Sequence, residues 1–219
     1  MEYFPIFTNL HDKTVLVIGD YSVLEFKIEK FIQSGARVKY VSEFLPDKLE
    51  DYKRSGKLTH YKDSFKKRYL RDIWLVICGS SNANLKAKVG KYTRKSNIFC
   101  NFVDEPSICS FISPALLTKG DITIAISTGG KSPALIKYLK QKIESSLGNE
   151  YEELAALLGK VRQRVIENLP DQKQRSLLFD TIIEHPRILD LIKSNQQSVA
   201  EQEAHQLIDE ALKQKKSLK

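Results

Sequence analysis

The run Thr14-Val-Leu-Val-Ile-Gly19 constrains this chain more than any other segment. It is continuously apolar rather than alternating, so a strand here must be covered on both faces. It also ends in glycine, the pattern of a buried parallel strand in an α/β protein. Ser22 to Ser34 follows, with apolar residues at Val23, Phe26, Ile28, Phe31 and Ile32, and predicts an amphipathic helix closed by Gly35. Arg37 to Ser42 predicts a second strand, and Pro46 suits the first turn of another helix. The opening is therefore a strand–helix–strand unit.

The alternation continues. Leu58–Tyr61, Ile73–Cys78, Ile98–Val103 and Ile122–Ser127 read as strands, and Asn82 to Lys95 as a helix. Such a sequence predicts an α/β fold built on a Rossmann-like, mostly parallel sheet. From Pro133 onward only helical periodicity remains, over Ala134–Leu147, Glu150–Asn168, Asp171–Glu184, Pro186–Ser194 and Ser198–Lys216. The expected organisation is a sheet domain over 1–114, a small α/β segment over 115–147 and an all-helical C-terminal domain over 148–219.

Composition narrows the function classes. No apolar run approaches the ~20 residues that span a bilayer. The Met-Glu-Tyr-Phe-Pro start has no leader pattern, so the expectation is a cytoplasmic protein with no membrane partner. Cys78, Cys100 and Cys109 lie in apolar runs without Cys-x-x-Cys spacing and read as buried thiols, and His11, His60, His185 and His205 show no ligand spacing, so no metal site is expected. The net charge of +8 is spread along helical segments, with clusters at Lys66-Lys67-Arg68 and in the C-terminal tail. No aromatic–arginine signature of an RNA-binding module accompanies it, so a nucleic-acid partner is not expected; solvated helix faces and a frayed terminus are the first reading of these charges, and a field that attracts a small polyanionic ligand the second.

Gly19-Asp20-Tyr21-Ser22-Val23-Leu24 occupies the place of a Gly-x-Gly-x-x-Gly dinucleotide motif, with only the first glycine kept. Tyr21 stands where backbone should approach the phosphates, Leu24 where the helix should pack closely, and Asp20 brings negative charge toward the helix start. Gly19, Tyr21, Ser22 and Val23, with Ser42 ending the second strand and Ser80 and Ser81 after the fourth, are the candidate cofactor contacts. Whether such a site still holds NAD is left open by the residues alone.

Two further segments carry chemistry. Asn101-Phe-Val-Asp104-Glu-Pro places one carboxylate, Asp104, just past a strand, with Glu105 beside it as a solvent-facing acid. Ser127-Thr128-Gly129-Gly130-Lys131-Ser132-Pro133 is a small-residue loop opening a helix. It reads equally as a helix cap and as a cradle for substrate carboxylates, with Lys131 supplying charge.

Together these segments resemble the siroheme synthase N-terminal family. The resemblance runs from Phe4-Pro-Ile-Phe7 through Glu25, Lys27 and Gly35-Ala-Arg37 to Trp74-Leu-Val-Ile77. It is carried most specifically by Phe99-Cys-Asn-Phe-Val-Asp104 with Ser110-Phe-Ile-x-Pro114, and by Ile124-Ala-Ile-Ser-Thr-Gly-Gly-Lys-Ser-Pro133. It implies precorrin-2 dehydrogenase activity with NAD, sirohydrochlorin ferrochelatase activity with ferrous iron as substrate, or both. It implies a homodimer formed through the 115–147 segment, Asp104 as general base, and Ser127, Thr128, Gly129, Gly130 and Lys131 as substrate contacts. At Thr128 some relatives carry a regulatory phosphoserine; threonine stands here and no modification is inferred. The altered glycine motif, and Gly79-Ser80-Ser81 where relatives tend to have Ala-Thr-Asp/Asn, keep two rivals in view: a chelatase without dehydrogenase activity, and a non-catalytic tetrapyrrole-binding protein.

Overall fold

The computed structural model describes residues 3–20 and 22–217, with side chains as far as Lys213. It divides into two compact units, 1–113 and 114–219.

The first unit is a five-stranded sheet in the order β3-β2-β1-β4-β5, formed by β1 (Thr14–Gly19), β2 (Arg37–Val41), β3 (Leu58–Tyr61), β4 (Leu75–Gly79) and β5 (Phe99–Phe102). Every pairing is parallel, with Val15 opposite both Val38 and Leu75. Alternate β1 residues serve opposite cores. Val15 and Val17 pack with Leu24, Ile28 and Ile32 of helix α1 (Val23–Gln33). Leu16 and Ile18 pack with Val76 and with Val89 of helix α3 (Ala83–Lys95). Helices on both faces explain why β1 is apolar at every position. Pro46 does not open a long helix: it precedes a 3₁₀ turn, Asp47–Leu49, that leads into the short α2 (Glu50–Arg54).

Because α1 leaves β1 toward one face and α3 leaves β4 toward the other, the chain reverses direction between β1 and β4. In open α/β sheets the crevice at the carboxyl end of such a switch point is where ligands bind.

Edge strand β5 is not left open. Ser110 N–H donates to the Cys100 carbonyl at 2.9 Å, Ser110 Oγ accepts from Cys100 N–H at 2.7 Å, and Cys109 Sγ accepts from Phe102 N–H at 3.0 Å. The following segment thus satisfies backbone groups that would otherwise template pairing with another chain.

The second unit starts with an antiparallel hairpin, β6 (Ala115–Lys119) and β7 (Ile122–Ile126), turning at Gly120 with φ +53°. Helix α4 (Pro133–Ser146) follows, then α5 (Glu150–Asn168), α6 (Gln172–Glu184), α7 (Pro186–Lys193) and α8 (Gln197–Ser217). The last four helices share a core that includes Val161, Val165, Ile182, Ile188 and Ile208, with Ala200 and Ala204 letting α8 pack closely. Helix α4 differs: none of its residues is buried.

Candidate active site at the carboxyl edge of the sheet

Gly19 and Gly79 face each other at the ends of β1 and β4. A Cβ on Gly19 would stand 1.8 Å from the Gly79 carbonyl oxygen, and Gly19 has φ +111°. Only glycine fits there, for both steric and conformational reasons. A Cβ on Gly79 would meet the Leu24 side chain at 3.1 Å. So the third motif position, filled by Leu24, is compensated from across the crevice: the glycine that allows close packing is on β4.

The start of α1 carries no side-chain cap, since Ser22 makes none. Glu25 N–H donates to the Ser22 carbonyl at 3.2 Å, and among the described residues the Val23 and Leu24 N–H groups are left to solvent or a ligand. Asp20, just before this helix start, is anchored to the end of β2, where its Oδ1 accepts the Glu43 N–H at 3.1 Å. Tyr21 lies outside the described residues. Val23 is exposed. These features fit a dinucleotide, with Gly19, Ser22, Val23 and Gly79 as the residues that would hold it.

The hydroxyls expected to help are partly committed. Ser42 is buried, donates to the Phe44 carbonyl at 2.7 Å and meets His60 Nε2 at 3.0 Å. The exposed acid at the end of β2 is Glu43, which the sequence pattern did not single out. An acid at this place is where a ribose hydroxyl is bound in dinucleotide folds. Ser80 Oγ accepts the Asn82 N–H at 3.1 Å, and Asn82 in turn caps α3 by accepting from Leu85 N–H. Ser81 remains exposed.

Asp104 sits one residue beyond Val103, whose N–H donates to the Cys78 carbonyl at 2.9 Å and prolongs β5 along β4. Asp104 itself has φ +64° and is exposed, and among the described residues no side chain engages its carboxylate. A non-glycine residue in this region signals a backbone held by its surroundings. The holding groups are visible. Glu105 N–H donates to the Phe102 carbonyl, and the Cys109 thiol lies 3.4 Å from the Phe102 carbonyl and 3.3 Å from that of Glu105. Glu105 is not simply solvent-facing: Lys86 of α3 closes on its Oε2. Asn101, buried, donates to the Phe111 carbonyl at 3.1 Å and ties β5 to the rest of the segment.

Burial pushes the Cys78 and Cys100 thiols up to about 12, so neither supplies a thiolate at neutral pH. A cavity of about 280 Å³ between α3 and β5, lined among others by Arg94, Phe99 and Phe102, contains none of the predicted site residues.

In the second unit, Ser127 to Lys131 form a loop shaped by hydrogen bonds. Ser127 Oγ accepts from Gly129 N–H at 3.1 Å and Thr128 Oγ1 from Ser132 N–H at 3.0 Å, while Ser132 caps α4 through Leu135 N–H. Gly129 and Gly130 have φ +62° and +83°, and a Cβ on either would touch nothing. They are required by conformation, not by crowding. Lys131 is exposed.

Three family models match in succession: "Putative NAD(P)-binding" over 6–115, "Sirohaem biosynthesis protein central" over 119–146 and "Sirohaem synthase dimerisation region" over 150–208. The chain belongs to the siroheme synthase N-terminal family. Siroheme synthase 2 of Yersinia enterocolitica is 32% identical over 212 residues, covering 97% of this chain and 45% of the relative. Siroheme synthase 1 of Aeromonas hydrophila is 32% identical over 218 residues, covering 100% and 47%. The chain therefore spans about half the length of these curated relatives. Among solved structures, SirC, precorrin-2 dehydrogenase, superposes with a TM-score of 0.75 over 95% of this chain and 100% of its own, at 20% identity, a likeness of fold. Among the described residues no helix is long and apolar enough to cross a membrane.

Proposed function

We propose that this family member acts in siroheme biosynthesis, oxidising precorrin-2 to sirohydrochlorin with NAD and inserting ferrous iron into the product, with Asp104 as general base in both steps. The observation that carries the reading is the Asp104 turn: an exposed carboxylate, held in the left-handed region by a buried network, at the carboxyl edge of a sheet whose Gly19–Gly79 crevice suits a dinucleotide.

In the first step the substrate loses two hydrogens, one as hydride and one as a proton. NAD, when bound, accepts the hydride; the Asp104 carboxylate accepts the proton. In the second step ferrous iron, a substrate, enters the macrocycle as two pyrrole protons leave, and Asp104 is again a positioned acceptor. The loop Ser127–Lys131, with Lys131 as its cation, receives substrate carboxylates. The chain then has three parts, 1–114, 115–147 and 148–219.

The reading includes a homodimer. The dimerisation-region match over 150–208 supports it, and in α4, just before that region, Leu135 is 47% exposed and Tyr138 55%, apolar surface that suits a second copy. Three buried reduced thiols suit a cytoplasmic protein.

Anaerobic incubation with precorrin-2 and NAD, followed by NADH absorbance, tests the first step; sirohydrochlorin with ferrous ion tests the second. Turnover in both, lost together in Asp104→Asn, supports the reading. Unchanged turnover in that variant removes Asp104 from the mechanism.

A further inference from the structure

Lys27 projects from the second turn of α1, and its Nζ donates to Ser113 Oγ at 2.9 Å. An ammonium has three donors, and this is the one bond its side chain makes among the described residues. Lys27 is part-buried, and burial holds its ammonium below the usual lysine range. A sheltered cation is ordinarily matched by an anion. Two acids of the surrounding elements are engaged elsewhere: Glu25 pairs with Lys48 at 3.5 Å, and Glu105 is closed on by Lys86.

The position is informative. Ser113 ends the segment that Asp104 begins, and both Lys27 and Glu105 lie within electrostatic reach of the Cys109 sulfur. The two helices that flank the sheet thus each send a lysine toward the β5 turn. Lys86, from α3, is neutralised by a carboxylate of the chain; Lys27, from α1, pairs with none among the described residues. Next to Lys27 on α1, Phe26 and Val23 are exposed apolar groups. A cation with no carboxylate partner among the described residues, beside apolar surface and bonded to the segment that Asp104 begins, suits an apolar macrocycle with carboxylate side chains.

We propose that Lys27 is a substrate-binding residue that receives a carboxylate of the tetrapyrrole and so sets the macrocycle over Asp104. The assignment deepens the function proposed above and rests on it. Lys27 exchanges part of its bond to Ser113 for a charge-assisted one to the substrate; no covalent step is involved.

The test is a titration of the intact protein with sirohydrochlorin, without iron or cofactor, read by quenching of Trp74, the sole tryptophan. NAD is titrated in parallel, and thermal unfolding is recorded for each variant. Lys27→Gln is expected to weaken macrocycle binding about tenfold, the loss of one charge-assisted bond. Lys27→Arg should recover most of it, Ser113→Ala should bind as the wild type does, and NAD affinity should be unchanged in all three. Equal macrocycle affinity in Lys27→Gln overturns the proposal. So does a loss confined to NAD, which would assign the cation to a cofactor phosphate. If Ser113→Ala and Lys27→Gln lose binding and thermal stability in parallel, Lys27 is a structural clamp and the proposal fails. A wild-type protein that turns over but whose Lys27→Gln variant is unaffected sinks this assignment alone; one that neither binds nor turns over the macrocycle removes the parent reading as well.

Discussion

The Cys109 sulfur accepts the Phe102 amide at 3.0 Å and lies 3.3 Å from the Glu105 carbonyl, so one thiol spans the two ends of the turn that presents Asp104. Its burial keeps the thiol protonated, raised from its ordinary range, and therefore able to donate as well as accept. Cys109 is a positioning residue in this arrangement.

Cys109→Ala should leave the Phe102 N–H without a partner inside the protein, costing about 1–3 kcal/mol of stability. Because the turn loosens while the substrate contacts stay, kcat should fall more than KM rises. Cys109→Ser, which keeps donor and acceptor, should restore a large part of kcat. Denaturant unfolding with steady-state kinetics on the three proteins checks this; a parallel loss of stability with unchanged kcat would leave the thiol a purely structural group.

Asp104 predicts an opposition between stability and activity. Glycine accepts the left-handed region without the steric cost borne by other residues, so Asp104→Gly should stabilise the fold by about 0.5–1 kcal/mol. Removing the proposed general base should lower turnover by about 10²–10⁴. Asp104→Asn, whose side chain tolerates the same backbone, should lose the turnover without the gain in stability. If Asp104→Gly is less stable than the parent, the turn is not strained.

Much of this architecture was legible in the sequence, for a physical reason. Strands β1 and β4 are covered on both faces and α1 carries a clean apolar stripe, so pattern and structure agree through these elements; the short α2 after Pro46 buries nothing and had no stripe to show. Strand β6 was not legible. Ala115-Leu-Leu-Thr-Lys119 has one buried residue, Leu117, and gains its partner only from the hairpin, so no period marks it. At the candidate site, the acid, the glycine at 19 and the loop at 127–131 stood out as residue types. Their settings did not. Nothing in a string of letters shows that Asp104 has positive φ, that Gly79 supplies the clearance missing at Leu24, or that Ser42 spends its hydroxyl on Phe44 and His60 and leaves Glu43 exposed. Each of those facts depends on a neighbour distant in sequence.

His60 gives a pH dependence of known sign. Desolvation is the largest influence on its imidazole and lowers its affinity for a proton in the folded state, against the opposing effect of a hydrogen bond to the Ser42 carbonyl. The unfolded chain therefore binds the proton first. Stability is full above the unfolded histidine range, near pH 6.5, and falls as the solution is acidified toward the lower folded value. Denaturant midpoints measured between pH 7.5 and about 5 should show this slope, and His60→Gln should flatten it. A slope unchanged in the variant would assign the effect to other groups.

The last expectation concerns α4, and it follows from a mismatch between length and burial. The helix is 14 residues long and well capped by Ser132, yet none of its side chains is buried within its own chain. Isolated helices of that length are marginal in water, so a packing partner is expected to supply what the cap alone does not. Its exposed Leu135 and Tyr138 lie three residues apart, on one side of the helix. If that side meets a second copy, the double change Leu135→Asp with Tyr138→Asp places two desolvated charges in each half of the interface. It should convert a dimer into monomers in sedimentation experiments at micromolar concentration. The core of α5–α8 does not include α4, so that bundle should keep its helical circular dichroism. Changes on the opposite side, at Lys137 and Lys140, should leave the sedimentation coefficient unaltered. A dimer that survives the double aspartate variant would place the interface elsewhere and leave the exposed face of α4 to a different partner.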